Sequence, residues 1–218
     1  RRDRVQFFWR FILPSLLVLL FVAGTISVVA VPLFRKQLMD QKKAAIRELT
    51  LESSQILQYW HNRAEEGNLS EEEAVERAIE QLRGIRYGED RKDYFWVTDL
   101  EPRMIMHPYL PELEGQDLSD YRDPEGTLLF VESVDAVEEG GSGFVEYWWQ
   151  WQDDVSRIVP KLSHVRLFEP WGFIVGTGVY IDDVEAELRM VRRRIIIASV
   201  ILIVLLTIII ISLSAPRS

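Results

Sequence analysis

The chain has 218 residues, no cysteine and a formal net charge of −9. The absent thiols exclude disulfides, thiolate metal sites and a cysteine nucleophile. The charge excludes a nucleic-acid partner, because residues 35–194 hold 33 of the 34 acids and 20 of the 25 bases, a local balance of −13.

Two apolar runs, residues 11–34 and 195–213, bracket this acidic segment. At about 1.5 Å of rise per residue each is long enough to cross a hydrocarbon core of roughly 30 Å, so a lipid bilayer is an expected partner. The first run is too long for a signal peptide and no small-residue cleavage site follows it, which makes it an uncleaved anchor. The positive-inside rule puts Arg1, Arg2, Arg4 and Arg10 in the cytoplasm, whereas Arg35, Lys36, Lys42, Lys43, Arg192, Arg193 and Arg194 flank the opposite ends, so charge alone does not settle orientation. The expected layout is 1–10 cytoplasmic N-terminus, 11–34 first transmembrane helix, 35–194 extracytoplasmic domain, 195–213 second transmembrane helix and 214–218 start of a cytoplasmic continuation.

After the first run, residues 35–66 lack proline and glycine and read as one long helix. Leu38, Ala45, Leu49, Ile56 and Tyr59 form a stripe with steps of three and four, suited to burial against a sheet or a second copy. Gly67 and Asn68 end that helix. Ser70 with Glu73 matches a capping box and opens a helix to about Arg83. From Asp93 onward, short aromatic and β-branched runs predict five strands at 94–98, 104–107, 144–151, 158–168 and 173–180. Asp123 and Pro124 predict a helix start, with an exit near Glu139 into the glycines at 140–143. The fold class is therefore α+β, one antiparallel sheet with a helix-covered face and a second face, covered only by loops and a short helix, where a small ligand could sit.

Three motifs occur in order: Asp93-Tyr94-Phe95-Trp96-Val97, Met104-Ile105-Met106-His107-Pro108 and Gly143-Phe144-Val145-Glu146-Tyr147-Trp148-Trp149. Pro160-Lys161-Leu162-Ser163, Pro170-Trp171-Gly172-Phe173 and Gly176-Thr177-Gly178-Val179-Tyr180-Ile181-Asp182-Asp183 continue the series. The chain resembles the single Cache sensor domains. The resemblance implies a PAS-like sensor domain, with a five-stranded sheet and a long N-terminal helix, flanked by two transmembrane helices. It implies a place in the bacterial cell membrane with the sensor in the periplasm or outside the cell, and a parallel homodimer along the long helices. It further implies a small-molecule ligand, often a short carboxylate, and an output module beyond the second span. A histidine kinase is the expected output; the alternatives are a chemotaxis receptor with the same sensor and a protein-interaction module without a small ligand. Where the family commonly has a tyrosine three residues after the strand lysine, this chain has His164.

A carboxylate needs a few directed donors in an apolar concavity. The candidate ligand set is Tyr94, Trp96, Met106, His107, Tyr147, Trp149, Lys161 and His164, with Lys161 as the cation. His164, if it faced the pocket, would make anion affinity rise on acidification. Asp153-Asp154, Glu138-Glu139 and Asp182-Asp183 lack calcium-loop spacing and read as solvated charge. The net acidity leaves open an amine ligand, whose mark would be carboxylates in the pocket. No catalytic motif, cofactor site or metal site is expected.

Overall fold

The computed structural model describes residues 10, 13–88, 90–138 and 140–213. Arg1, Arg2, Arg4, the first two residues of the first apolar run, Glu139 and residues 214–218 lie outside the described residues. Two compact units are present, residues 40–183 and a second made of residues up to 39 with those from 184 onward.

The elements in order are α1 (Leu13–Thr25), a π-helical turn (Ile26–Ala30), α2 (Val31–Glu65), α3 (Glu71–Gly84), β1 (Trp96–Asp99), β2 (Met104–Met106), α4 (Leu129–Glu138), β3 (Ser142–Trp151), β4 (Asp154–Phe168), β5 (Phe173–Tyr180) and α5 (Ile181–Leu213). Among the described residues no helix is long and apolar enough to cross a membrane. The 13 residues of α1 span about 20 Å, short of the hydrocarbon core, and a π turn follows them. The flanking transmembrane helices therefore stay with the sequence argument. In this unit Leu38 and Met39 pack with Val184 and Leu188, and Arg35 pairs with Glu185 at 2.8 Å.

In the unit of residues 40–183, five antiparallel strands run in the order β2-β1-β5-β4-β3. One core joins Leu57 of α2 and Ala78 and Leu82 of α3 to Phe95, Val97, Met106 and Val175. The other joins Leu129, Phe130 and Val137 of α4 to Tyr94, Trp96, Met104, Tyr147, Trp149 and Val165. Phe95 and Val97 face the first core and Tyr94 and Trp96 the second, as the period of two requires, and Val145, Tyr147 and Trp149 of β3 all face the second.

Local chemistry sets the helix ends. Glu73 N–H donates to Ser70 Oγ at 3.2 Å and Ser70 N–H donates to Glu73 Oε2 at 3.0 Å, closing the expected capping box. Gly67, at φ +73°, terminates α2 in a conformation that favours glycine. The expected helix at Asp123 starts later, at Leu129. Asp123 instead ties a turn: Oδ1 accepts from the N–H of Glu125 and Thr127, and Oδ2 accepts from Trp148 N–H of β3. The buried face of α2 also differs from the expected stripe. Ile46, Thr50, Ser53 and Leu57 are buried, while Ala45 and Tyr59 are exposed and Leu49 and Ile56 half-buried.

Candidate functional site

β3, β4 and β5 bring three side chains level across the sheet. Lys161 lies opposite Tyr147 on one side and Tyr180 on the other. Its side chain is 1% exposed, with the ammonium 4.2 Å from the ring centroid of Tyr94 and 4.9 Å from that of Tyr180. Among the described residues it forms no ion pair within 4 Å. Aromatic faces stabilise a cation without neutralising it. Burial pulls the Lys161 pKa down to about 7, with Asp93 pulling the other way.

His107 follows β2 and is 1% exposed. Its Nδ1 accepts from the N–H groups of Leu110 at 3.0 Å and Tyr109 at 3.3 Å, which assigns the ring proton to Nε2. That Nε2 is buried without a partner. Burial, then Lys161 and Arg86, push the imidazole down to about 3, so it is neutral at physiological pH. Its backbone N–H donates to Glu114 Oε1 at 2.9 Å, and Arg83 of α3 grips the same carboxylate with two bonds of 2.6 and 3.0 Å.

Trp96 lies directly opposite Gly176 of β5, and the indole occupies the space where a Cβ at that position would sit. Glycine there lets the ring lie on the sheet. Trp96 Nε1 and Tyr94 Oη are also buried without a well-formed hydrogen bond, with Tyr147 beside the indole and Tyr180 and Trp149 beside the phenol. By contrast Tyr147 Oη pairs with Ser163 Oγ at 2.8 Å. Trp96, His107, Leu129, Phe130, Tyr147 and Trp149 enclose a cavity of about 10 Å³, room for one water at most. Trp149 also walls an outer groove of about 280 Å³, where Arg122 and Asp123 bring one charge of each sign beside Leu110, Tyr121 and Trp148.

Six of the eight candidates thus share one core: Tyr94, Trp96, His107, Tyr147, Trp149 and Lys161. Met106 and His164 do not. A β-bulge in the β1–β2 pair matches Val97 with Met106 and Thr98 with Met104, so the extra residue turns Met106 to the helix-covered face. His164 lies three residues from Lys161, an odd offset that puts it on that same face. Its Nδ1 meets Thr50 Oγ1 of α2 at 2.6 Å, and burial, then Arg47 and Arg166, push it down to about 4. It therefore supplies no titratable donor to the pocket. Leu129 and Phe130 were missed because the helix was expected to begin six residues earlier. Tyr180 was missed because its motif marks the end of the last strand, with no charge to draw attention.

Arrayed donors without well-formed acceptors, near an ammonium that Asp93 supports only from beyond ion-pair distance, suit a guest that is an anion and accepts hydrogen bonds. The sequence profile of the family described as "Single Cache domain 2" matches residues 38–194. Methyl-accepting chemotaxis protein McpP of Pseudomonas putida is 42% identical over 150 residues, 69% of this chain and 27% of that protein. Sensor histidine kinase MctS of Rhizobium johnstonii is 32% identical over 154 residues, 71% of this chain and 32% of that one. The chain spans about a quarter to a third of the length of these curated relatives. A solved periplasmic sensor domain of a chemotaxis protein is 46% identical, covers 66% of this chain and 97% of its own, and superposes with a TM-score of 0.62. A structure described as the basis for carboxylic acid recognition by a Cache chemosensory domain is 39% identical, covers 67% and 97%, and gives 0.63.

Proposed function

Because the chain belongs to the single Cache domain 2 family, we propose that residues 35–194 are the periplasmic sensor of a bacterial transmembrane receptor and that its ligand is a short-chain carboxylate. The observation that carries this reading is the set of buried polar atoms without a well-formed hydrogen bond, His107 Nε2, Trp96 Nε1 and Tyr94 Oη, near the Lys161 ammonium, which among the described residues has no ion pair within 4 Å. The relative that recognises carboxylic acids supports the ligand class. An amine ligand would need carboxylates on the walls; the six residues that bound the cavity include none, although Lys161 is not among them and Asp123 lines the outer groove.

In this proposal Lys161 takes the carboxylate charge and His107 and Trp96 donate to its oxygens, while Leu129 and Phe130 face the short apolar tail. A cavity of about 10 Å³ cannot hold even a two-carbon acid as it stands. Entry therefore displaces wall side chains, and the groove beyond Trp149 supplies the approach. A ligand shifts the conformational equilibrium by its differential affinity for two states, and a tenfold bias needs about 1.4 kcal/mol. The shift leaves the site through Tyr180, whose hydroxyl donates to Gln150 C=O at 3.1 Å and accepts from Gln152 N–H at 2.8 Å. The next residue, Ile181, begins α5.

Residues 11–34 and 195–213 are proposed as the two spans, and the expected domain boundaries go with them. A parallel homodimer is proposed along the α2 stripe, where Tyr59 remains 57% exposed. The relatives carry two kinds of output, chemotaxis and kinase. The expected kinase output is thus one of two forms of this proposal, since the sensor residues suit either. Calorimetric titration of the chain in detergent with acetate, propionate, lactate and pyruvate tests the ligand class. Saturable binding of at least one, lost in Lys161→Met, is the expected result; binding of none overturns it.

A further inference from the structure

Lys161 presents a chemical problem that the other pocket donors do not. An ammonium enclosed by tyrosine rings, with no carboxylate in contact, is held in its charged form only weakly, because burial removes the water that stabilises it. A bound carboxylate would restore the missing counter-charge. We propose that above neutral pH the pocket takes up about one proton from solvent with each carboxylate it binds, so that the species registered there is in effect the acid and not the anion alone. This deepens the carboxylate reading above and rests on it.

The balance is simple. A neutral Lys161 amine, a carboxylate and a solvent proton give an ammonium–carboxylate pair, and no bond other than that N–H is made. The groups around Lys161 leave it as the proton acceptor. Tyr94 before β1, Tyr147 on β3 and Tyr180 on β5 are all raised, chiefly by burial, and stay neutral. His107 after β2 stays neutral down to about 3. Asp93, ahead of β1, is the carboxylate whose charge supports the ammonium; burial raises its own pKa, and Asp183 at the start of α5 and Lys42 of α2 act on it in opposite directions. Asp93 is thus the one rival site for the proton.

With the ligand-free lysine near 7, acetate binding should take up about nine-tenths of a proton at pH 8 and about a tenth at pH 6. Affinity should weaken about tenfold per pH unit above neutrality. The test is calorimetry of the full chain in detergent with sodium acetate and sodium propionate, at each pH in two buffers of unlike ionisation enthalpy. The difference in observed heat between buffers gives the protons taken up. Uptake near one at pH 8 that disappears at pH 6 is the expected result. Binding at pH 8 without uptake overturns the inference and leaves the carboxylate reading standing, whereas absence of binding overturns both. Lys161→Arg, always charged, should bind with no uptake and a flat pH profile. Uptake that persists in Lys161→Arg and is lost in Asp93→Asn overturns the assignment to Lys161.

Discussion

The two faces of the sheet bury a histidine each, and the two are used in opposite ways. On the helix-covered face His164 finds its partner within the chain, Thr50 of α2 at 2.6 Å, and Phe144 packs edge-on against it. On the other face His107 spends its Nδ1 on two backbone N–H groups and leaves Nε2–H buried without an acceptor. Both imidazoles are held neutral by burial, so charge does not distinguish them. Satisfaction does. A buried donor without a partner costs about 1–3 kcal/mol. Such costs occur on the helix-covered side too, at His61 Nδ1, Arg166 Nε and Trp171 Nε1, but the pocket face combines them with a buried ammonium, a pattern of stability given up at a binding site.

Lys161→Met should break this comparison most severely, because it converts the pocket face into an ordinary core. Carboxylate affinity should fall by roughly 2–5 kcal/mol, the cost of removing one side of a buried charge pair. The ligand-free protein should gain about 1–4 kcal/mol of stability at and below neutral pH. The sign follows from the lysine: its folded pKa of about 7 lies below its ordinary 10.5, so folding releases a proton and the penalty on the wild type is greatest below 7. Between those values wild-type stability climbs with pH, and the advantage of the variant should shrink. Denaturant melts at several pH values read this directly. A variant less stable than wild type at pH 6 would contradict the view of Lys161 as an uncompensated charge.

The histidine pair sharpens the comparison next. His107→Gln should weaken binding by about 1.5–3 kcal/mol, the range for a hydrogen bond to a charged group. His164→Leu should leave affinity within about twofold while costing roughly 1–3 kcal/mol of stability, since Thr50 loses its buried partner. Titration and melting of both variants form the check. Equal losses of affinity would mean that the faces do not have separate roles.

Much of this division was legible from strand alternation. Tyr94 with Trp96, and Tyr147 with Trp149, follow from a period of two. The same rule already separates Lys161 from His164, whose odd offset outweighs their closeness in sequence. Met106 was not legible, because the bulge that turns it over lies in a strand of three residues and carries no glycine or other signature. The buried stripe of α2 was displaced by one position because it contains Thr50 and Ser53, and a search for apolar spacing passes over polar residues that hydrogen-bond to their own helix. Asp123 before Pro124 looked like a helix cap for a sound local reason. Its carboxylate does bind backbone N–H groups, but they belong to a turn and to β3.

The smallest expected effect concerns the strut that reaches the pocket donor from α3. Arg83 grips Glu114 through both guanidinium nitrogens, and Glu114 in turn accepts from the His107 backbone. Burial alone would raise the Glu114 pKa, but the bonds from Arg83 and His107 outweigh it and hold the carboxylate ionised below its usual range. Both side chains remain about a quarter exposed, so water and salt screen the pair and its worth is on the order of 0.5–1 kcal/mol. Arg83→Gln should therefore leave the fold intact and lower carboxylate affinity only about twofold to fivefold, by loosening the segment that aims His107. The loss should diminish at high salt, where the wild-type pair is itself weakened. An affinity unchanged at low salt would show that the bulge and the Nδ1 bonds alone are enough to orient that imidazole.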